Sequence, residues 1–202
     1  MHASGAVGTV ATSQDSVCPL KVGARVPDLS LTTPDGKKFN LNNAFRKHPA
    51  VLIFYRGGWC PYCNTQLGEL ATIESRLIEL GYQILAVSPD RPEKLRESIA
   101  KHKLSYQLLS DSDTKAIRAF GLAFTLDEDA VKKLKGYGID IEASSGSKDH
   151  VLPVPAVFLV NREGTVVFQY ANPDYKVRLK PEILLSAAAA YAAPADPPNT
   201  KR

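Results

Sequence analysis

AVLIFYRGGWCPYCNTQLGEL, residues 50–70, decides the fold. Its first part is a continuous β-branched and aromatic run closed by two glycines, the pattern of a strand buried on both faces. Beyond it, Leu67, Leu70, Ile73 or Glu74, Leu77 and Leu80 or Gly81 recur at helical spacing, and Gly81 offers a stop. Strand, tight glycine turn and helix form the first half of a βαβ unit, with Cys60 just past the carboxyl end of the strand.

Outward from this stretch, PDLSLTTPDGKKFNL alternates about the turn TPDG and predicts a β-hairpin, followed by a short loop or helix, NNAFRKHPA. YQILAVS reads as a second buried strand, RPEKLRESIAKHK as a helix opened by Pro92, QLLSD as a short strand and SDTKAIRAFG as a capped helix ending at Gly121. Residues 122–152 are less regular, with one helix in DEDAVKKLKG and a polar loop, EASSGSKDH. PAVFLV, the turn NREG and TVVFQYA make a closing hairpin before a helix from Pro181. The order predicts an α/β fold with a central mixed sheet flanked by helices. Residues 1–17 and 193–202 are expected to be flexible tails around one domain, residues 18–192.

Composition narrows the function. The 202 residues carry a formal charge of +4 with basic and acidic residues interleaved, which argues against nucleic acid as the partner. No apolar run is long enough for a membrane span and the first residues lack a signal-peptide pattern, so a cytoplasmic location is expected. Three cysteines are too few for a disulfide scaffold, and in a reducing compartment a close pair points to redox or metal chemistry. Zinc would need two more ligands at matching spacing, which Cys18 and the four scattered histidines do not offer, so no metal is expected.

Redox chemistry fits the pair. With Pro61 at the first helical position, Cys60 falls at the N-cap and Cys63 in the first turn. The helix dipole and free N–H groups would favour a Cys60 thiolate, making it the nucleophile, and Cys63 can then attack a mixed disulfide or sulfenic acid formed on Cys60. Arg56 would add positive charge to the thiolate. Trp59 and Tyr62 flank the nucleophile as an apolar rim for substrate. Cys18 reads as a spare exposed thiol and His150 as a solvated loop histidine.

The stretches VGARVPDLSLTTPDGKKFNL, VLIFYRGGWCPYCNTQLGEL, ILAVSPDRPEKL and PAVFLVNREGTVVFQY together resemble the AhpC/TSA branch of thioredoxin-like proteins, the peroxiredoxin-like group, over residues 20–190. The resemblance implies a thioredoxin-like fold with an N-terminal β-hairpin extension and, in the family at large, thiol-dependent peroxide reduction. It also implies a cis-proline at Pro155, packed against the CxxC, with the backbone of Val154 free to pair with substrate. Peroxiredoxins proper place a hydroxyl residue three positions before the cysteine and an arginine before the late strand. Here those positions hold Gly57 and Pro155, and the donors that would stabilise charge on peroxide oxygens are missing.

The first expectation is therefore a thiol–disulfide oxidoreductase with Cys60 as nucleophile, Cys63 resolving and Pro155 shaping the docking surface. The alternative is a thiol-dependent peroxidase acting on hydrogen peroxide or organic hydroperoxides through a Cys60 sulfenic acid. A third is a non-catalytic binding module on the same frame. Either enzyme would need no bound cofactor, only an external thiol reductant such as thioredoxin or glutathione. A homodimer is compatible with such a frame.

Overall fold

The structure, a computed structural model, describes residues 8–192. Seven strands form one mixed sheet. The central strand β3 (Ala50–Phe54) is buried at every position. It pairs in parallel with β4 (Gln83–Ser88), which pairs in parallel with β5 (Gln107–Ser110), and antiparallel with β8 (Ala156–Val160). The hairpin β1 (Ser30–Thr32) and β2 (Lys38–Asn40) joins antiparallel to β5, and β9 (Val166–Ala171) closes the other edge on β8.

Alternation along β3 divides the core between two faces. Val51 and Ile53 point into a layer with Leu67, Leu70 and Leu77 of α2 (Pro61–Glu79), Leu95 of α3 (Pro92–His102) and Leu184 of α7 (Pro181–Tyr191). Ala50, Leu52 and Phe54 point the other way, onto Leu41 and Phe45 of α1 (Leu41–Lys47) and Ile117 of α4 (Lys115–Ala119). Helices on both faces explain why β3 is apolar throughout. Pro92 and Pro181 each stand at a first helical position, and Gly81, just past the Leu80 cap of α2, has a φ of +86° that suits the left-handed stop.

The thioredoxin-like frame with its N-terminal hairpin is as the sequence implies, and three features differ. First, a second sheet pairs β6 (Ala123–Thr125) with β7 (Val151–Pro153), strands of three residues that show no readable alternation. Second, part of the expected polar loop is a short helix, α6 (Ile141–Ser145), capped by Asp140, which follows α5 (Glu128–Gly136). Third, the chain is anchored well before residue 18: Ala11 N–H donates to Ala123 O at 2.9 Å and Thr125 N–H to Ala11 O at 3.0 Å. The rest of the expected tails, residues 1–7 and 193–202, lies outside the described residues. Among the described residues no helix is long and apolar enough to cross a membrane.

Candidate active site

Parallel pairing of β3 and β4 puts the turns after both strands side by side. Cys60 is the N-cap of α2, with extended backbone (φ −88°, ψ 116°) and Pro61 next in line. Its N–H donates to Gly57 O at 3.1 Å and its carbonyl accepts from Asn64 N–H at 3.0 Å, so the turn and the helix start hold each other. Cys60 and Cys63 are both buried and both free thiols. Hydrogen bonding from the Cys63 thiol lowers the Cys60 pKa to about 6 against the opposing effect of burial; the Cys63 N–H and the charges of Arg56 and Arg178 add to the lowering. Burial, above all, holds Cys63 well above the ordinary thiol range. The pair is thus divided into a ready thiolate and a waiting thiol.

Two guanidinium groups face it. Arg56, at the end of β3, is buried, with its Cζ 4.2 Å from the ring centre of Tyr175 and 5.1 Å from that of Trp59, and its Nε has no hydrogen-bond partner. Arg178, in the loop between β9 and α7, donates to Cys63 Sγ at 3.3 Å, to Gln66 Oε1 at 2.6 Å and to Tyr175 O at 2.7 Å. Tyr175 also meets the exposed Tyr62 ring edge-on at 5.6 Å. The same loop therefore roofs the CxxC and supplies one of its charges.

On the other side lies Asp90, after the end of β4 and almost fully buried. Gly58 N–H donates to its Oδ2 at 2.7 Å, while Oδ1 has no partner. Burial pushes its pKa up to about 7. A shallow recess beside it is lined by Arg56, Trp59, Ile141 and His150, and closed by α6. His150 Nε2 lies 2.8 Å from Glu142 Oε1, so this histidine is fastened rather than free in solvent.

Gly57 explains the absent hydroxyl. Its φ is +149°, and a Cβ there would overlap the Trp59 indole nitrogen and sit 2.8 Å from Asp90 Oδ1. A threonine cannot occupy this position without moving both neighbours.

The expected roles of Val154 and Pro155 need correction. No cis peptide bond occurs among the described residues, so Pro155 is trans. It carries the chain from β7 of the small sheet into β8 of the large one, and Ala156 beside it pairs with Phe54, which brings Pro155 to the Cys60 end. Val154 is fully buried and its N–H donates to Leu122 O at 2.9 Å, which leaves it no N–H for a substrate strand. Both residues are buried at the CxxC end of the sheet, and Arg56, Trp59 and Tyr62 gather around the pair.

Sequence reasoning missed Arg178, Gln66 and Asp90. Asp90 had a signal: an acid just past a buried strand expected to run beside β3. Arg178 had none, since its loop carries neither periodicity nor motif. Cys18 is exposed, as read, and among the described residues no group of three or more His, Cys, Asp or Glu side chains could hold a metal ion.

A family model described as the AhpC/TSA family matches residues 22–169. The protein called putative peroxiredoxin bcp of Haemophilus influenzae is 36% identical over 104 residues, covering 52% of this chain and 66% of that protein, so the match falls just short of two thirds of that relative. Peroxiredoxin Bcp of Bacillus subtilis is 27% identical over 157 residues, 78% of this chain and 88% of its own. Among solved structures, peroxiredoxin Q of Xanthomonas campestris superposes with a TM-score of 0.65 at 26% identity, over 86% of this chain and 98% of that one.

Proposed function

Since the chain belongs to the AhpC/TSA family, we propose that it is a thiol-dependent peroxidase, reducing hydrogen peroxide or organic hydroperoxides with Cys60 and Cys63. The observation that carries this reading is the division of the pair: a Cys60 thiol lowered to about 6 beside a Cys63 held protonated, with two arginines facing both.

The Cys60 thiolate attacks one peroxide oxygen, the O–O bond breaks, and the departing oxygen leaves as water or an alcohol once protonated. Cys60 is then a sulfenic acid. Arg56, with its unpartnered Nε–H, and Arg178 supply the guanidinium charge that the family pattern draws from the position of Pro155. Cys63 next gives up its proton, with Asp90, a buried carboxyl raised to about 7 whose charge is felt at Cys63, as acceptor, and attacks the Cys60 sulfur. The S–S bond forms and the sulfenic oxygen leaves as water. An external thiol reductant of the thioredoxin or glutathione class returns both thiols.

A thiol–disulfide exchange site acting on protein disulfides is the weaker reading. It would draw on a free backbone edge beside the pair, but the Val154 N–H is already bonded. A small hydroperoxide requires no such edge.

The test uses Trp59, the one tryptophan in the sequence. Reduced protein is mixed with hydrogen peroxide, and separately with glutathione disulfide, and indole emission is followed by stopped flow with Cys60→Ser as the blank. Peroxide oxidation far faster than that of an ordinary thiolate, lost in Cys60→Ser, is expected. Slow reaction with peroxide and ready reaction with the disulfide would overturn the reading.

A further inference from the structure

At the opposite end of the sheet from Cys60, the β8–β9 turn, the segment leading towards β1 and the helix α1 enclose a cleft of about 440 Å³ lined by Arg25, Asn42, Arg46, Arg162, Glu163 and Gly164 among its walls. Ala50 pairs with Val160 and Phe54 with Ala156, so the cleft lies beyond the amino end of β3 while the thiols lie beyond its carboxyl end. It takes no part in the redox site.

The arginines of the cleft are exposed, and three features set them apart from scattered surface charges. The arginines come from three separate parts of the chain, and among the described residues none of them forms an ion pair with a carboxylate. Arg25 spends one nitrogen on Glu163 O at 2.7 Å and Arg46 one on Asn43 Oδ1 at 2.8 Å, which orients both groups and leaves most of their donors unused. The backbone beneath is fixed: Arg25 bridges Thr165, Val26 N–H donates to Gly164 O at 2.8 Å, and Val166 N–H donates to Ala24 O at 2.9 Å. With Arg162 in the same wall, three guanidinium groups meet at one cleft against the single Glu163 carboxylate and are left short of negative charge. Planar, multi-donor guanidinium groups are matched best by oxyanions.

We propose that this cleft binds a small oxyanion carrying two or more negative charges, of the pyrophosphate or phosphate-ester class. Asn42, also in the wall, has its Oδ1 buried without a partner, an acceptor for an oxygen of the anion that retains its proton. The occupant is small because the cleft holds about 440 Å³ and sits at a corner between a turn and one helix rather than along a face.

The experiment is isothermal titration of the full-length protein with inorganic pyrophosphate, and in a second arm with citrate, at an ionic strength held constant with sodium chloride. Wild type should show saturable one-to-one binding of pyrophosphate. Arg46→Ala combined with Arg162→Ala should weaken it about tenfold or more, the scale of losing charge-assisted hydrogen bonds. Glu163→Gln should tighten it by removing the opposing charge. All three residues are exposed, so circular dichroism and an unchanged rate of Cys60 oxidation serve as folding controls. Citrate binding with the same dependence on the variants supports the site and widens its class to carboxylates; failure of citrate narrows it to phosphoryl anions. Absence of saturable pyrophosphate binding, equal binding by the double variant, or weaker binding by Glu163→Gln overturns the proposal.

Discussion

Replacing Asp90 with asparagine should make the protein more stable above neutral pH while slowing its disulfide closure. In the fold, burial raises the Asp90 pKa from 3.8 to about 7. An unfolded chain would release that proton near pH 4. Between these values the native state holds a proton that the unfolded state has lost, so stability falls as pH rises through this window and is level above it. The displacement corresponds to about 4 kcal/mol in all, of which about 2.5 kcal/mol falls between pH 5 and pH 8. Asparagine keeps an oxygen for the Gly58 N–H and does not titrate. The stability of Asp90→Asn minus that of wild type should therefore grow by about 2.5 kcal/mol from pH 5 to pH 8 in urea unfolding of the reduced proteins. Asp111, also raised to about 7 by burial, titrates in both proteins and cancels from the difference. In the same variant, closure of the disulfide after Cys60 oxidation should slow by about 100-fold, the low end of what a lost general base costs. A stability difference that stays flat across this range would show that the carboxylate is not held against its ionisation, and the proton-acceptor role would fall with it.

The rate of Cys60 oxidation by peroxide should drop about tenfold per pH unit below pH 6 and level off above it, since only the thiolate attacks and its pKa is about 6; stopped flow across pH 4.5 to 8 checks this. Arg178→Met removes the donor to Cys63 and a charge facing Cys60, so the inflection of that profile should move to higher pH, with Arg178→Lys recovering part of the displacement. Gly57→Thr places the family's usual hydroxyl residue in this chain, yet it should lower stability by about 3 kcal/mol or more and leave peroxide reduction no faster, measured by urea unfolding alongside the stopped-flow rate.

What the sequence made legible was whatever repeats or spans several residues. The uninterrupted run of β3, the stripe of α2 and the proline after Cys60 announced the strand, the helix and the place of the nucleophile. The strands β6 and β7 were invisible because three residues cannot display a period, and the anchoring of Ala11 follows only from their presence. The blank at the hydroxyl position could be read from the chain, but its cause is a backbone angle at Gly57 and the bulk of Trp59. The missing arginine could be read as well, whereas the arginine that meets the pair could not: Arg178 reaches Cys63 from a loop 115 residues further along the chain. Pro155 misled because a proline before a strand looks the same in sequence whether its peptide bond is cis or trans and whether the residue before it is free or already bonded.

On the peroxidase reading proposed above, the one-turn separation of Cys60 and Cys63 also fixes how the protein meets rising oxidant. A Cys60 sulfenic acid has two fates: capture by the neighbouring thiol, or a second encounter with peroxide that carries it to the sulfinic acid, from which simple thiols do not return it. Side chains three residues apart at a helix start lie within the span of a disulfide, so capture proceeds without unwinding α2 and at a rate independent of how much peroxide is present. The second encounter scales with peroxide concentration. Their ratio defines a threshold dose below which nearly every turnover ends in a recoverable bond, and that threshold is set by the geometry of a single helical turn.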